Sequence, residues 1–396
     1  MDDPSIGALV VTGAGLLTAA GDTPHAAFAA IVGRRPLASV RADDGLHAAA
    51  IQDFDVKRYL DRKGVRDLSR TSQLACSAAA ANARGLFGVA AEDVGVVLGS
   101  AWGSLSTVIT FEREAHLQGA RFVDPILFTE TVSNVPAGQV AILHGWSAFN
   151  ATVSSGSASG LAGLRQALAF LEEGRGEVAV AGGADEINWP LVTALQRRAG
   201  SAGTSGAVMG EGACFLTIES GRHAGSRGAR PLASILASGC RFAPSVAPAT
   251  GAAREALTGL LRELTAAAGL APREVDIVVI SAGGSSDGDV VEAESVIEVF
   301  GEGESAPPVM APKSIFGETW GASGPLAVVL AIEAMRSSTA PAGPVGGVPP
   351  AGFERLHVPR ETLHRPLRNA LILDRTDTGY QLGMLLSVAE PHDLAS

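Results

Sequence analysis

The stretch Val153-Ser-Ser-Gly-Ser-Ala-Ser-Gly-Leu161 places seven small residues between a β-branched residue and an apolar one. Apolar residues then recur at helical spacing, at positions 161, 164, 167, 168 and 171. The stretch therefore predicts a tight elbow that leads into a buried helix over residues 159–171. Ser157 lies at the centre of the elbow and brings a hydroxyl group to the start of that helix.

Short β-branched runs alternate with amphipathic helices on both sides of the elbow. The predicted strands are residues 9–11, 94–98, 178–181 and 275–280, and the predicted helices are residues 74–83, 159–171, 253–268, 289–300 and 325–335. This alternation predicts an α/β protein with βαβ units, largely parallel sheets and two similar halves. A Gly- and Arg-rich break at residues 221–230 separates the halves, and residues 339–352 are predicted to form a surface loop.

The composition favours a compact protein with a large core. Of the 396 residues, 46% are hydrophobic and 18% are charged. The net charge of −11 argues against nucleic acid or an anionic membrane as the main partner, but a local basic patch would still bind an acidic carrier protein. No run approaches the roughly 20 apolar residues that span a bilayer, and the N-terminus lacks a signal-peptide pattern. We therefore expect a soluble, cytoplasmic protein.

The three cysteines, Cys76, Cys214 and Cys240, are far apart and show no metal-binding spacing. Their odd number suits a reducing compartment, and their apolar surroundings predict buried, inert thiols. The glycine pairs of the chain are not followed by a phosphate-binding motif. The sequence thus predicts neither a metal nor a cofactor.

The elbow resembles the nucleophile motif of β-ketoacyl-acyl carrier protein synthases, which is usually V-S-[ST]-A-C-A-S-G. Other segments are similar to this family in the same order, namely Val11-Thr-Gly-Ala-Gly15, Asn134-Val-Pro-Ala-Gly-Gln139, Ala181-Gly-Gly-Ala-Asp185 and Met209-Gly-Glu-Gly-Ala213. The resemblance covers nearly the whole chain. It implies a dimeric protein with the thiolase-like fold, in which two pseudo-duplicated halves, residues 1–225 and 226–396, form a five-layered αβαβα core.

The resemblance places substituted residues at all three catalytic positions of the family. Ser157 aligns with the acyl-accepting cysteine. The first histidine, in H-G-T-G-T-x-x-x-D-x-x-E-A, aligns with Ser281. The second, in K-S-x-x-G-H-x-x-G-A-x-G, aligns with Glu318, while Lys313 of that motif is retained.

These substitutions remove the groups that condensation needs. The reaction uses a thiolate to carry the acyl chain and imidazoles to stabilise the developing enolate. A serine hydroxyl without a base stays protonated near neutral pH, and an ionised carboxylate opposes the negative charge of an enolate. Two loops also depart from the family: residues 199–206 lack its aromatic and acidic residues, and Asp374-Arg-Thr-Asp-Thr-Gly379 replaces its Gly-Phe-Gly-Gly gate.

Each altered position has a structural interpretation beside the catalytic one. Ser157 either caps the following helix or fills space, rather than acting as a nucleophile. Glu318 pairs with Lys313 or with an arginine such as Arg375 in a vacated pocket, rather than acting as a base. Ser281 is expected to be a neutral residue that fills space.

A retained scaffold with altered catalytic residues resembles chain length factors, the non-condensing β subunits of type II polyketide synthases. This resemblance implies a heterodimer with an active ketosynthase, an acyl tunnel shaped by both subunits, and acyl and malonyl groups delivered by an acyl carrier protein for polyketide or polyene synthesis. Ile109, Thr110, Phe111 and Phe128 are the implied tunnel and interface residues, with ordinary core packing as the alternative. Chain length factors usually carry glutamine at the nucleophile position, so Ser157 is a departure.

Two other functions remain open at this stage. One is a serine-dependent acyltransferase or hydrolase that uses Ser157 with Glu318 as its base. The other is a homodimeric protein that binds acyl chains without reacting with them. We expect no independent condensing activity in any of these cases.

Overall fold

A computed structural model describes residues 8–37, 39–40, 46–201, 208–244, 250–282, 286–343 and 353–388. Within these ranges ten strands form one continuous sheet. They are β1 (Leu9–Thr18), β2 (Val94–Gly99), β3 (Asn150–Val153), β4 (Val178–Asp185), β5 (Gly212–Ser220), β6 (Ala233–Phe242), β7 (Ile277–Val279), β8 (Val309–Met310), β9 (Asn369–Arg375) and β10 (Tyr380–Ser387).

The strand order shows that the two halves repeat one topology. The first half has the order β3-β2-β4-β5-β1, and the second has the matching order β8-β7-β9-β10-β6. In the first half β2 pairs parallel with β3 and β4, whereas β5 pairs antiparallel with β4 and β1. In the second half β7 pairs parallel with β8 and β9, whereas β10 pairs antiparallel with β9 and β6. The two halves join where β1 pairs with β6. The predicted duplication is confirmed, whereas the boundary between residues 225 and 226 stays a prediction.

The expectation of largely parallel sheets is wrong, because each half is mixed. β5 and β10 are antiparallel to both of their neighbours. The turn between β9 and β10 spans only residues 376–379, which is too short for the crossover that parallel strands need. The alternation of strands and helices predicted the parallel pairs correctly. It could not predict β5 and β10, which run antiparallel to their neighbours.

The helices cover both faces of the curved sheet. Those in the described ranges are α1 (Pro24–Val32), α2 (Arg70–Ala83), α3 (Leu105–Gln118), α4 (Pro125–Thr129), α5 (Val135–His144), α6 (Ser159–Glu172), α7 (Trp189–Ser201), α8 (Gly221–Ser226), α9 (Thr250–Ala267), α10 (Ser286–Phe300), α11 (Lys313–Phe316) and α12 (Ser323–Arg336). None of them has the length and apolar character needed to span a bilayer.

Alternate residues of the strands define five layers. Val97 of β2 packs inward with α6 and α12, whereas its neighbour Val96 packs outward with α2 and α5. In the second half, Val279 of β7 faces the same central helices, and Val278 faces α9 and α10. Strands buried on both faces explain the continuous apolar runs of the sequence. The arrangement is the expected αβαβα core.

Part of the segment that was predicted to be a surface loop is a buried strand. Thr339–Ala340 is a short strand that pairs antiparallel with Leu363–His364, and both of its residues are buried. Its Pro- and Gly-rich composition concealed this pairing, because a two-residue strand is too short to show a period. Pro341 and Ala342 are buried as well, and residues 344–352 of the predicted loop lie outside the described ranges.

The turn that precedes α12 packs directly against the start of α6 and the end of β4. A Cβ atom on Gly160 or on Gly183 would lie 1.9 Å from the carbonyl oxygen of Gly321. Only glycine permits this approach, which explains the small residues after Ser157. The contact sets the N-terminal ends of α6 and α12 side by side, at the positions of the predicted site residues.

Candidate functional site

Ser157 lies in the elbow between β3 and α6. Its hydroxyl group donates a hydrogen bond of 2.9 Å to the backbone carbonyl of Arg375. The N-cap residue of α6 is Ala158, and no side chain caps the helix, so the interpretation of Ser157 as a cap is wrong. The elbow is instead held by Ser159, whose hydroxyl donates to the carbonyl of Gly156 at 2.6 Å.

Glu318 lies in the turn between α11 and α12, and both of its carboxylate oxygens are occupied. One oxygen lies 2.7 Å from the ammonium nitrogen of Lys313. The other accepts from the backbone N–H of Trp320 and from the hydroxyl of Ser323, each at 2.8 Å. Of the two pairings that the sequence suggested for Glu318, the structure therefore shows the one with Lys313.

Ser281 follows β7 and is a connected member of a polar network. Its hydroxyl donates to Asp374 at 3.0 Å and accepts from the ammonium group of Lys313 at 3.0 Å. Its backbone N–H donates to Glu292 at 2.7 Å. The expectation that Ser281 only fills space is therefore wrong.

Arg375 fills the pocket from the opposite side. Its guanidinium lies 2.5 Å from the carboxylate of Asp289 and 3.9 Å from that of Glu292. The space is made by Gly288, where a Cβ atom would come within 2.0 Å of the guanidinium. Because the carbonyl of Arg375 also accepts from Ser157, this residue is held both through its side chain and through its backbone.

These contacts bring the three predicted site residues together. Ser157 contacts Arg375, and the neighbouring Asp374 contacts Ser281. Lys313 then joins Ser281 to Glu318. We call the charged members of this network the ion cluster: Lys313, Arg375, Asp289, Glu292, Glu318 and Asp374.

The ion cluster holds four buried carboxyl groups and two cations whose side chains are each 9% exposed. Burial raises the pKa of Glu292 to about 7, although Arg375 opposes the rise. Burial likewise raises the pKa of Asp374 to about 6 against the opposing effect of Lys313. Burial by itself would lower the pKa of Lys313, but the carboxylates of Glu318 and Asp374 outweigh it and raise that pKa. The pocket thus keeps its lysine charged and raises the pKa of two of its carboxyl groups, those of Glu292 and Asp374.

We expect the free energy of unfolding to fall as the pH rises from about 5 to about 7. The raised pKa of Glu292 accounts for about 2 kcal/mol of this fall. The pKa of Glu292 is raised on folding, so its stabilising contribution is complete below the unfolded pKa of about 4. That contribution is lost as the pH passes through the folded value of about 7. Chemical denaturation across this range measures it, and Glu292→Gln should flatten the profile.

The matched control is Glu298→Gln, on the same helix but paired at the surface with Arg262. It should leave the slope of stability against pH unchanged. An equally steep slope in the Glu292→Gln protein would show that the proton lies elsewhere.

Sequence reasoning identified Glu318 but missed the other three acidic members of the ion cluster. Asp289 and Glu292 served only to align a motif, and Asp374 was noted only as part of a replaced loop. Their signal was present, since two carboxyl groups three residues apart on a helix face the same side. Asp185 was missed as well: its buried carboxylate accepts from the backbone N–H groups of Ala101, Trp102 and Gly321.

The predicted tunnel and interface residues form a separate surface. Phe111 of α3 and Phe128 of α4 pack with ring centroids 5.9 Å apart. No residue of α3, including Ile109 and Thr110, is fully buried within this chain. The core-packing interpretation is therefore not supported for this helix.

Large apolar side chains are exposed along this part of the chain. They are Trp102, Leu117, Phe122, Ile126, Phe128 and Val132, which we call the apolar face. Ile126 is 71% exposed and Phe128 is 58% exposed. Trp102 links the face to the ion cluster, because its ring makes an edge contact with Trp320 at 5.1 Å.

Two of the three cysteines are buried as expected, whereas Cys240 is only half-buried. Cys76 and Cys214 are buried, and burial raises the pKa of each thiol well above its usual range. Such thiols are poor nucleophiles. Across the described ranges, no group of three or more His, Cys, Asp and Glu side chains is arranged to hold a metal ion.

Family models match both halves of the chain. The β-ketoacyl synthase N-terminal domain matches residues 8–224, and the β-ketoacyl synthase C-terminal domain matches residues 232–344. The 3-oxoacyl-[acyl-carrier-protein] synthase 2 of Vibrio harveyi is 26% identical over 82% of this chain and 85% of its own length. A putative mitochondrial 3-oxoacyl-[acyl-carrier-protein] synthase of Schizosaccharomyces pombe is 25% identical over 78% and 77%.

Solved structures agree on the thiolase-like fold. The ishigamide ketosynthase/chain length factor has a TM-score of 0.86 at 21% identity, and a β-ketoacyl synthase from Burkholderia phymatum has 0.85 at 23%. Each comparison covers 97% of this chain and 100% of the other. A type II polyketide synthase acyl-carrier protein in complex with its ketosynthase has a TM-score of 0.82 at 18% identity. At these identities the likeness concerns the fold alone.

Proposed function

Because this chain belongs to the β-ketoacyl synthase family, we propose that it is a non-condensing subunit, a chain length factor that pairs with an active ketosynthase. In type II polyketide or polyene synthesis it would wall the acyl tunnel of that partner. The observation that carries the proposal is the hydrogen bond from the Ser157 hydroxyl to the backbone carbonyl of Arg375. An amide carbonyl is too weak a base to take the proton that a nucleophilic serine must lose.

The surrounding pocket supports the same conclusion. None of the hydrogen bonds of Ser157, Ser281 or Glu318 in the described part of the chain involves a histidine. Lys313 neutralises the carboxylate that would have to act as a base, and Trp320 and Ser323 occupy its other oxygen. These contacts favour a structural pocket over the serine-dependent acyltransferase or hydrolase.

The apolar face supports pairing with another subunit. Six large apolar side chains are exposed between residues 102 and 132, and obligate dimers bury exposed side chains of this kind. The ishigamide ketosynthase/chain length factor, which shares the fold, is by its name such a pair. A partner ketosynthase that covers this face would place Phe111 and Phe128 at its tunnel.

The decisive experiment compares this chain expressed alone and together with its partner ketosynthase. We expect a one-to-one complex in which an acyl thioester labels the partner and not this chain, as measured by intact mass. A soluble homodimer that becomes acylated at Ser157 would instead establish the acyltransferase. A homodimer that holds acyl chains without reacting would establish the binding protein.

Residues at the proposed tunnel should set product length. We expect Ile109→Ala, Phe111→Ala and Phe128→Ala to shift the complex toward longer chains, since each shortens a side chain that would stop chain growth. Mass spectrometry of the products measures the shift. Phe87→Ala is the matched control, because Phe87 is 93% exposed on a turn away from the apolar face. Unchanged chain lengths in an intact complex would contradict a tunnel role.

A further inference from the structure

Two neighbouring carboxylates, Asp185 and Glu186, hold the segment that leads into α3. Asp185 ends β4, Glu186 follows it, and both side chains are buried. The proposed function uses neither of them. We call the pair the carboxylate anchor, and we call residues 100–106, which it holds, the entry segment.

Asp185 receives four hydrogen bonds, two on each oxygen. Its Oδ1 accepts from the hydroxyl of Ser100 at 2.7 Å and from the backbone N–H of Trp102 at 3.0 Å. Its Oδ2 accepts from the backbone N–H groups of Ala101 at 2.9 Å and Gly321 at 2.8 Å. An amide in this place would turn its NH2 group toward two donors, so only a carboxylate satisfies all four.

Glu186 caps α3 from outside the helix. The N-cap residue Ser104 makes no capping bond, and its hydroxyl donates to the hydroxyl of Ser69 at 2.8 Å. Glu186 instead accepts from the backbone N–H of Ser106, in the first turn of α3, at 2.8 Å. The side-chain amide of Asn188 donates to the hydroxyl of Ser106 at 3.1 Å. The residues after β4 thus supply the cap that Ser104 does not provide.

The helix α3 depends on these bonds because its own packing is weak. None of its residues is fully buried within this chain, so no core side chain fixes its direction. Helices in proteins gain most of their stability by packing an apolar face against the rest of the fold. The carboxylate anchor therefore decides where α3 begins and how it is oriented.

The carboxylate anchor also ties the entry segment to the turn before α12. Gly321 lies in that turn, and its N–H donates to the same carboxylate as the N–H of Trp102. The rings of Trp102 and Trp320 are in edge contact at 5.1 Å. The entry segment is thus held against the turn that follows Glu318. A surface whose backbone is fixed before binding loses less conformational entropy when a partner covers it.

We propose that the carboxylate anchor positions Trp102 and α3 for the partner ketosynthase. The part of this inference that concerns the partner rests on the proposed function, whereas the part that concerns the order of α3 does not. Asp185 and Glu186 are themselves buried, so they act through the entry segment and not by touching the partner. They are positioning residues.

Hydrogen exchange in the full chain measures how firmly α3 is held. We expect Glu186→Ala to speed exchange of the α3 amides roughly 5- to 10-fold, the size of effect that follows the loss of a helix cap. Glu186→Gln should restore most of the protection, because its amide oxygen still accepts from Ser106. Asp185→Asn should speed exchange in the entry segment and α3 at least about 10-fold, because the amide leaves buried donors unpaired.

Affinity for the ketosynthase tests the second part of the inference. Analytical ultracentrifugation should show a loss of at least about 10-fold for Asp185→Asn and roughly 5-fold for Glu186→Ala, with near-normal binding for Glu186→Gln. The matched control is Glu274→Ala. It also removes a carboxylate that accepts from a backbone N–H, that of Ala271 at 2.7 Å, but in the turn Pro272–Glu274. It should change neither the exchange of α3 nor the affinity.

Unchanged exchange of α3 in the Asp185→Asn and Glu186→Ala proteins would overturn the inference, as would equal losses for Glu186→Ala and Glu186→Gln. Unaltered exchange within β2 shows that a variant is folded. If Asp185→Asn also loosens β2, the comparison of Glu186→Ala with Glu186→Gln decides.

The two hypotheses fail separately in these experiments. If α3 loosens but the ketosynthase binds the variants as tightly as the unmodified chain, the carboxylate anchor does not position the interface and the inference fails. If the unmodified chain does not bind the ketosynthase, the proposed function fails, and the exchange data alone decide whether the carboxylate anchor holds α3.

Discussion

Replacing Lys313 by methionine is expected to destabilise the protein by about 3–5 kcal/mol. Lys313 is buried, lies 2.7 Å from Glu318 and 3.8 Å from Asp374, and donates to Ser281. Methionine keeps most of the volume but leaves the two carboxylates without a cation, and an uncompensated buried charge is costly. Urea denaturation at neutral pH measures the loss, with circular dichroism to confirm that the variant folds.

Two further variants separate charge from packing. The double variant Lys313→Met, Glu318→Gln removes both partners and should recover a large part of the loss, because no ion is then left alone at that position. Lys63→Met, on the exposed surface, should change stability by less than about 0.5 kcal/mol. A loss below about 1 kcal/mol for Lys313→Met would mean that water reaches the ion cluster.

The second large effect concerns assembly. We expect Ile126→Asp combined with Phe128→Asp to weaken association with the partner ketosynthase at least about 100-fold. Both side chains are exposed in this chain, so the change should leave its own stability nearly unaltered. A buried interface, however, would have to desolvate two carboxylates. Analytical ultracentrifugation of the mixed subunits measures the affinity.

The control for this experiment is Ile142→Asp. Ile142 is 64% exposed but lies on α5, outside the apolar face. It should leave the affinity unchanged. If the Ile126→Asp, Phe128→Asp protein binds the ketosynthase as tightly as the unmodified protein does, the partner binds another surface.

The sequence was most informative about elements whose residues are buried on both sides. The apolar runs at residues 94–98 and 178–181 predicted central strands, and the structure has strands there, Val94–Gly99 and Val178–Asp185, the second of which continues through the glycine pair that was expected to end it. The helix that ends in Arg336 was predicted for the same reason, since most of its residues are buried. The antiparallel strands β5 and β10 were missed because strand direction depends on the connection and not on the pattern of the strand itself.

The sequence predicted which residues lie in the candidate site but not which groups they contact. The motif alignment indicated Ser157, Ser281 and Glu318, and the structure connects them through Arg375, Asp374 and Lys313. Their hydrogen-bond partners depend on loops that meet from distant parts of the chain. For that reason the sequence alone did not show that Ser157 donates to a backbone carbonyl or that Ser281 is fully engaged.

The close packing of Gly160 and Gly183 against the backbone of Gly321 also limits which residues can change during evolution of this fold. A frame fixed by main-chain atoms tolerates almost no variation at its centre, so selection is left to act on the residues at its rim. On the proposed function, substitutions at Ser157, Ser281 and Glu318 removed reactivity while this frame of glycines stayed in place. An ancestral catalyst and an inert descendant would keep the same skeleton and differ in a few rim residues.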